Sequence, residues 1–549
     1  MKIYKKEELR KNLQRNLKAD ENTLKNWMEN PAFIDGDLVG EFWGHVQKAP
    51  AVAVIGDYDC DGICSTYIMA KSIKSVVPDM RMYLRIPKRF SEGYGLNEKI
   101  VEEIENKLPK GSVVITVDNG IAAADLLEKL ETDGYKVLMT DHHVLREGNR
   151  IPNVTMTIDP SVPGCDKGFT YYGWCGAAVA FKLCEQMVPE TLAKELEVFA
   201  GVATVADCMD LKAENWALVR RTIDSFHSGK APETLKNMLL QMGQDPRFAN
   251  EDSFGYYLGP CFNASGRLLD NGATKVLKYL LTPTEEALLE LISNNSQRKE
   301  LRDNEFQVVK EYIEKEGIAG NCPIWVDIPE LHGGIVGILA GQVTEEYGVP
   351  AIVMTHSKDD PTHLKGSART AGEVDIFKYL QSLGDVYERM GGHPGAAGLS
   401  MTKENFDKVK NIGCERPKDV TPVGVVPQNA YHIIKEEIPE INEVLQEFRP
   451  FGEGNPAPFF DLAVNTKEDS VRMMGKEKNH LCIEDKNHSY KVTHFYHDPN
   501  SLSDKHVFGL YGKISGSYYG GIETPTLNAD GVYDLNGEKE QEEERVYDQ

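Results

Sequence analysis

Val52-Ala-Val-Ile-Gly-Asp57-Tyr-Asp59-Cys-Asp61-Gly is an apolar run closed by a glycine and three alternating carboxylates. A short, uninterrupted apolar run of this kind reads as a strand buried on both faces, and the polar cluster marks its end. The same pattern returns twice. Val113-Val-Ile-Thr-Val ends in Asp118-Asn-Gly, and Val137-Leu-Met-Thr ends in Asp141-His142-His143. Met82-Tyr-Leu-Arg-Ile and Val154-Thr-Met-Thr-Ile are further strand-like runs, and helical stretches separate all five. Strands alternating with helices predict an α/β domain built on a parallel sheet with both faces covered. The carboxyl ends of such strands open on one edge of the sheet, where ligands bind. Acids tens of residues apart in sequence are therefore expected to meet.

Four or more carboxylates gathered at one edge repel each other, and several must take up protons unless cations neutralise them. Any one of these acids, taken alone, reads as a helix cap or loop residue. A lone histidine reads as a core residue. Three strand ends carrying such groups together point to metal binding. Carboxylate with imidazole suits Mg²⁺ or Mn²⁺, and the histidine tilts the choice towards Mn²⁺. Two such ions ~3.5–4 Å apart can activate water and stabilise the phosphoryl and leaving oxygens of a phosphodiester.

With 549 residues the chain is too long for one core. Residues 1–46 read as a polar helical segment with Trp27, Phe33 and Trp43 as anchors, 47–213 as the parallel-sheet domain and 214–317 as a helical connector. The connector ends in a long linking helix within Thr284 to Glu316. Residues 318–415 return to α/β, and 425–535 carry the short alternating runs of a small β-barrel. Residues 536–549 form an acidic tail, expected to be disordered. No apolar run approaches the ~18 residues of a membrane span, and the N-terminus lacks the apolar stretch of a secretory signal. A cytoplasmic protein with no membrane partner is expected. The 10 cysteines show no C-x-x-C pair, so structural thiols are expected in place of zinc sites or a disulfide framework. A net charge of −24 argues against nucleic acid when taken as a sum, but binding is local. Arg81, Arg85, Lys88 and Arg89 form a basic stretch free of acids, and the acidic tail weighs on the total without touching it.

GDYDCDG, VDNG, TDHH and ATVADCMDL, in this order, resemble the four motifs of the DHH phosphoesterase family. Their spacing is most similar to the bacterial single-strand-specific exonucleases of that family. The likeness continues through KRFSEGYGL (88–96), NASGRL (263–268), LHGGIVGILAG (331–341), GSART (366–370), GGHPGAAG (391–398) and RPFGEGNPAPFF (449–460). It implies that Asp57, Asp59, Asp61, Asp118, His142 and Asp207 hold two ions, Mn²⁺ or Mg²⁺, with Asp118 as the bridge. His143 is then the catalytic histidine facing the scissile phosphate, and Asp141 orients a histidine or its loop. At Ile55 the wider family often has a histidine, and Asp57 takes that ligand's place.

The resemblance further implies a DHH-associated domain in which Ser367 and Arg369 grip a terminal phosphate. The backbone of Gly391 and Gly392, with His393, would approach an oxyanion there. Arg89, Asn263 and Arg267 would contact DNA. It also implies an OB-like C-terminal module with Phe459, Phe460, Tyr490, Phe495, Tyr511 and Tyr518 as stacking candidates, and a passage narrow enough to exclude a duplex. The activity implied is 5′-to-3′ digestion of single-stranded DNA to 5′-mononucleotides in recombination and repair. The partners implied are a single-strand-binding protein and a helicase, with the enzyme itself a monomer. A hydrolase of short oligonucleotides or cyclic dinucleotides is the alternative, and a non-catalytic scaffold is the other.

Overall fold

The apolar runs fold as strands. β1 (Val52–Ile55), β2 (Met82–Arg85), β3 (Val113–Thr116), β4 (Lys136–Thr140) and β5 (Met156–Ile158) form one sheet in the order β2-β1-β3-β4-β5, parallel throughout. Alternation along β1 shows why both faces are apolar. Val52 and Val54 pack into a core with α1 (Cys60–Val76) and the helices that follow the sheet in sequence, among them Ile63, Ile68 and Phe199. Ala53 and Ile55 point the other way, into a core with Ile100, Ile104 and Leu127, which lie on α2 (Glu98–Lys107) and α3 (Ala124–Thr132). The chain leaves β1 for one neighbour, β2, and then returns to the other, β3. That reversal is a topological switch point, and the crevice at its carboxyl edge is where α/β sheets of this order bind ligands.

In this computed structural model the described residues are 2–146, 148–357, 360, 362–418, 425–475, 479–495, 507–519 and 522–535. The expected acidic tail, 536–549, lies outside them. The chain divides into two compact units, one of residues 6–296 and 444–457, the other of the described parts of 1–5, 297–443 and 458–549. The first contains the parallel sheet and the helices that follow it, including α4 (Gly176–Cys184), α5 (Glu190–Ala206) and α6 (Gly259–Leu268). Within it Trp43 is buried and donates to Leu183 O at 2.7 Å, and Trp27 packs against Trp216. Phe33, the third expected anchor, is instead half exposed to solvent, because it rests on hydrogen bonds made by its backbone to Thr170. The long helix expected to link the lobes is continuous as α7 (Glu285–Glu316), and the division between the units falls inside it.

The second unit holds two sheets. In one, β6 (Ile324–Asp327) and β7 (Ala351–His356) are parallel, and β8 (His363–Arg369), β9 (Arg389–His393) and β10 (Ala396–Thr402) are antiparallel, in the order β9-β10-β8-β7-β6. α8 (Val336–Tyr347) covers the sheet. The other is an eight-stranded, mainly antiparallel sheet built from the C-terminal module. Its edge lies at the start of the N-terminal helical segment: Lys2–Ile3 is a strand, paired in parallel with Tyr431–His432, ahead of the helices Lys6–Leu17, Glu21–Glu29 and Gly36–Lys48. Among the described residues no helix is long and apolar enough to cross a membrane.

Candidate functional site

Asp57, Asp59 and Asp61 leave the carboxyl end of β1, and each is held by a different backbone amide. Asp57 accepts from Gly95 N at 3.2 Å, and Asp59 caps α1 through Gly62 N at 3.0 Å. Asp61 accepts from Gly176 N and Ala177 N at 2.7 and 2.8 Å. These two donors are amides at the N-terminus of α4 that lack intrahelical partners, so the helix positions Asp61. Asp118 follows β3 with φ +60°, a left-handed conformation uncommon for non-glycine residues, though aspartate tolerates it better than most. Asn119 holds it there by donating to Ile55 O and Val117 O, which ties β1 to β3 at the switch point.

His142 brings these elements together. Its Nε2 lies 3.1 Å from Asp118 Oδ1, 3.5 Å from Asp61 Oδ2 and 3.6 Å from Asp207 Oδ2. Asp207 arrives from the C-terminal end of α5. Asp61, His142 and Asp207 offer ligand atoms within 4.8 Å of one another, as do Asp118, His142 and His143. Asp118 Oδ1 is buried without a hydrogen-bond partner although His142 Nε2 is so near. An acceptor and an imidazole nitrogen that approach without sharing a proton suit a cation to which both can donate. The charges say the same. Burial, then the charges of Asp61, Asp59 and Asp207, hold the Asp118 carboxyl well above the usual carboxylate range. Burial and Asp59 raise Asp57, burial and Asp61 raise Asp59, and burial and Asp61 push Asp207 up to about 8. Burial also lowers the His142 imidazole, which keeps it neutral, as a ligand must be. The donor set fits divalent cations.

His143 differs. Its Nδ1 is 2.7 Å from Asp141 Oδ1, with Tyr94 Oη 3.3 Å away. Asp141 is buried and also accepts from the amides of His142, His143 and Ile121, so it orients the whole loop. Burial opposes a charge on Asp141, yet the bond from His143 holds its carboxyl below the usual range. Burial likewise opposes a charge on His143, but Asp141 and the other carboxylates push its imidazole up to about 9. A histidine with Nδ1 engaged and its proton retained is suited to donate, and poorly suited to ligate.

The expected DNA contacts fall on both units. In the first, the Arg89 guanidinium lies 4.6 Å over the Tyr58 ring, which meets Tyr94 edge-on. Asn263 and Arg267 are one turn apart on α6, whose Gly266 abuts Tyr58 O. Asp270 fastens the loop after Arg89 by accepting from Phe90 N and Ser91 N. The acid-free basic stretch is not a free cationic groove, however. Arg85 is committed to Glu92 and Glu103, and Arg81 donates to Lys107 O.

In the second unit Arg369 is half-buried, and its partial removal from water lowers its guanidinium from its ordinary value. It donates to Ser367 Oγ and Ala368 O, each at 2.8 Å, and among the described residues no carboxylate pairs with it. The expected glycine loop is a β-hairpin. Gly391 stands opposite Gly398, which pairs with Ser367; His393 stands opposite Ala396, which pairs with Arg369. Gly392 is required by packing, since a Cβ there would lie 2.3 Å from Ala396 O. His393 is exposed and accepts from Gly395 N. Of the stacking candidates, Phe460 and Tyr511 are buried, Phe459 lies under Lys513, Tyr490 is half-buried and Phe495 is exposed. The side chain of Tyr518 lies outside the described residues.

Three contributors escaped the sequence reading: Gly95, Gly176 and Tyr94. Gly176 has no room for a side chain, since a Cβ would lie 2.5 Å from Asp118 Cβ.

Comparison with known proteins agrees with this geometry. Residues 51–209 match the DHH family N-terminal domain, 324–413 the DHHA1 domain and 434–531 the RecJ OB domain. The single-stranded-DNA-specific exonuclease RecJ of Bacillus subtilis (strain 168) is 30% identical over 457 residues, 81% of this chain and 56% of that protein. The chain thus spans little more than half the length of that relative. The protein of the same name from Salmonella typhimurium is 30% identical over 76% of this chain and 75% of its own length. The crystal structure of RecJ from Thermus thermophilus in complex with Mn²⁺ superposes with a TM-score of 0.71 at 21% identity, covering 97% of this chain and 79% of that one, and so shares its fold. With three domains matched in one order and 30% identity kept over three quarters of a relative's length, the chain belongs to the RecJ family.

Proposed function

We propose that the protein is a 5′-to-3′ exonuclease that hydrolyses single-stranded DNA with two divalent cations, Mn²⁺ or Mg²⁺. The observation that carries this reading is the meeting of Asp61, Asp118 and Asp207 within 3.1–3.6 Å of the His142 Nε2 atom, with Asp118 Oδ1 unpartnered. Asp57, Asp59, Asp61, Asp118, His142 and Asp207 would hold the cations. When bound, these supply an activated water and neutralise charge on the phosphate.

The chain's own groups do the rest. Asp141 holds the His143 ring by Nδ1, which leaves Nε2 to donate a proton to the departing 3′-oxygen. Water contributes its hydroxyl to phosphorus as the bond from phosphorus to the 3′-oxygen breaks, and its remaining proton replaces the one His143 gave up. The nucleotide released keeps its 5′-phosphate and the remaining strand gains a new one. Arg369 and Ser367 offer a seat for such a terminal phosphate, because a half-buried guanidinium without a carboxylate partner favours an anion. Arg89 and the Tyr58 and Tyr94 rings offer a cation and π-faces to a single strand. Single-strand-binding protein and helicase partners belong to this reading through the family.

The test is purified protein on 5′- and 3′-labelled single strands and duplex with Mn²⁺, Mg²⁺ or EDTA. Metal-dependent mononucleotide release from the 5′ end of single strands is expected. Cleavage of dinucleotides with long strands left intact would overturn it in favour of the oligonucleotide hydrolases.

A further inference from the structure

Two thiols separated by 92 residues meet in the second unit. Cys322 precedes β6 and Cys414 follows the helix Lys403–Val409, with the two Sγ atoms 3.4 Å apart. The same residues are joined through their backbones, Cys414 N donating to Cys322 O at 2.8 Å. By standard bond lengths that hydrogen bond keeps the Cα atoms within about 6.7 Å. A disulfide spans Cα separations of ~4.4–6.8 Å. Rotation of the side chains is then all that must bring the sulfurs to bonding distance. Both residues are only half-buried, whereas Cys60, Cys64, Cys175 and Cys184 are buried. The positions are also distinctive. The DHHA1 match runs from 324 to 413, so the cysteines stand just outside its two ends. Neither belongs to a group of metal-ligating side chains among the described residues.

We propose that Cys322 and Cys414 form a reversible disulfide that ties the two ends of the DHHA1 domain together, with a small-molecule disulfide as oxidant. Burial, and then the hydrogen bond with Cys322, push the Cys414 thiol up to about 12. The thiolate of one cysteine takes one sulfur of the oxidant and expels the other as a thiolate. The second cysteine then gives up its proton and displaces the remaining half. Two protein thiols are oxidised, and the oxidant's S–S bond is reduced to two thiols. A loop this long, once closed, restricts the unfolded chain strongly, while the native backbone is already paired at the closure point. The bond is therefore a staple, and Ser367 and Arg369, fixed within the sheet by β7 and β10, keep their places.

The experiment uses the full chain, reduced, then exposed to excess oxidised glutathione, alkylated, digested and mapped by mass spectrometry. The expected product joins the Cys322 and Cys414 peptides with the loss of two hydrogens, leaves two fewer of the 10 thiols open to alkylation under denaturant, and reverts with dithiothreitol. Oxidation should raise the midpoint of thermal unfolding by several degrees, and C322S and C414S should each lose both effects. Alkylation of both thiols after oxidation would overturn the proposal. So would a persistent glutathione adduct on Cys322, or cross-linking of either residue to the exposed Cys208. A bond that forms yet leaves the midpoint unmoved would overturn the stapling. Should a serine variant fail to fold, the map of the unsubstituted chain decides.

Discussion

Gly176→Ala tests the site at a residue that ligates nothing. The new Cβ would lie 2.5 Å from Asp118 Cβ and 2.9 Å from Asp118 Cα and Cγ. Carbon atoms pack at ~3.5–4.0 Å, so about 1 Å of displacement must be found. Asp118 cannot easily yield, because its backbone is held at φ +60° and Asn119 ties the turn to two strands. The other side of the clash is the first turn of α4, whose amides of Gly176 and Ala177 grip Asp61. Either movement displaces an expected metal ligand. Overpacking of this kind costs about 1–3 kcal/mol, and misplacing a reacting constellation by about 1 Å costs on the order of 10²-fold in rate. G176A should fold with a midpoint lowered by several degrees, lose about 100-fold in single-strand degradation, and need more Mn²⁺ for half-maximal activity. The control is Gly341→Ala in α8, where a Cβ meets nothing within 4 Å. There alanine should leave activity unchanged and raise stability by up to about 1 kcal/mol. G176A with wild-type activity at limiting Mn²⁺ would refute the packing argument.

Other perturbations separate the roles. Asp118→Ala should abolish degradation while single-strand binding, followed by fluorescence anisotropy, persists. His143→Gln should lower kcat by about 10²–10⁴-fold with Mn²⁺ affinity, measured by calorimetry, nearly unchanged. Arg369→Gln should raise KM for 5′-phosphorylated strands and leave stability nearly unchanged without an anion, since it removes a half-buried guanidinium that no carboxylate partners among the described residues. Metal-free protein should lose stability as pH rises. Asp57, Asp59, Asp118 and Asp207 have folded pKa values above the unfolded ~3.9, that of Asp207 reaching about 8, so the folded state binds more protons between these limits. Their favourable contribution is complete below ~3.9 and gone above the folded values. Denaturant melts from pH 5 to 9 should show the fall, and Mn²⁺ should stabilise most at the alkaline end.

What the sequence could disclose follows from what each contact depends on. The acids of β1, β3 and β4 were legible because strand ends announce themselves by apolar runs, and parallel topology then forces those ends together. The partition of the two histidines rested on resemblance, and the structure supplies a physical reason: Asp141 takes Nδ1 of His143, while burial keeps His142 neutral. Contacts that depend on how closely two elements approach left no local trace. Gly176 sits 115 residues from Asp61 in an ordinary small-residue run, and only the seating of α4 on Asp118 makes it indispensable. Arg85 counted towards a basic stretch in the sequence, but Glu92 and Glu103 fold onto it. Cys322 and Cys414 showed no spacing signature because their pairing is produced by the closure of a whole domain. Composition was similarly blind in both directions. The net charge of −24 argues against DNA, yet Asp57, Asp59, Asp61, Asp118 and Asp207 stand at a site where two divalent cations would offset most of their charge. Electrostatics at this centre is therefore set by occupancy more than by sequence, and DNA affinity should depend on divalent metal even when His143→Gln has slowed cleavage.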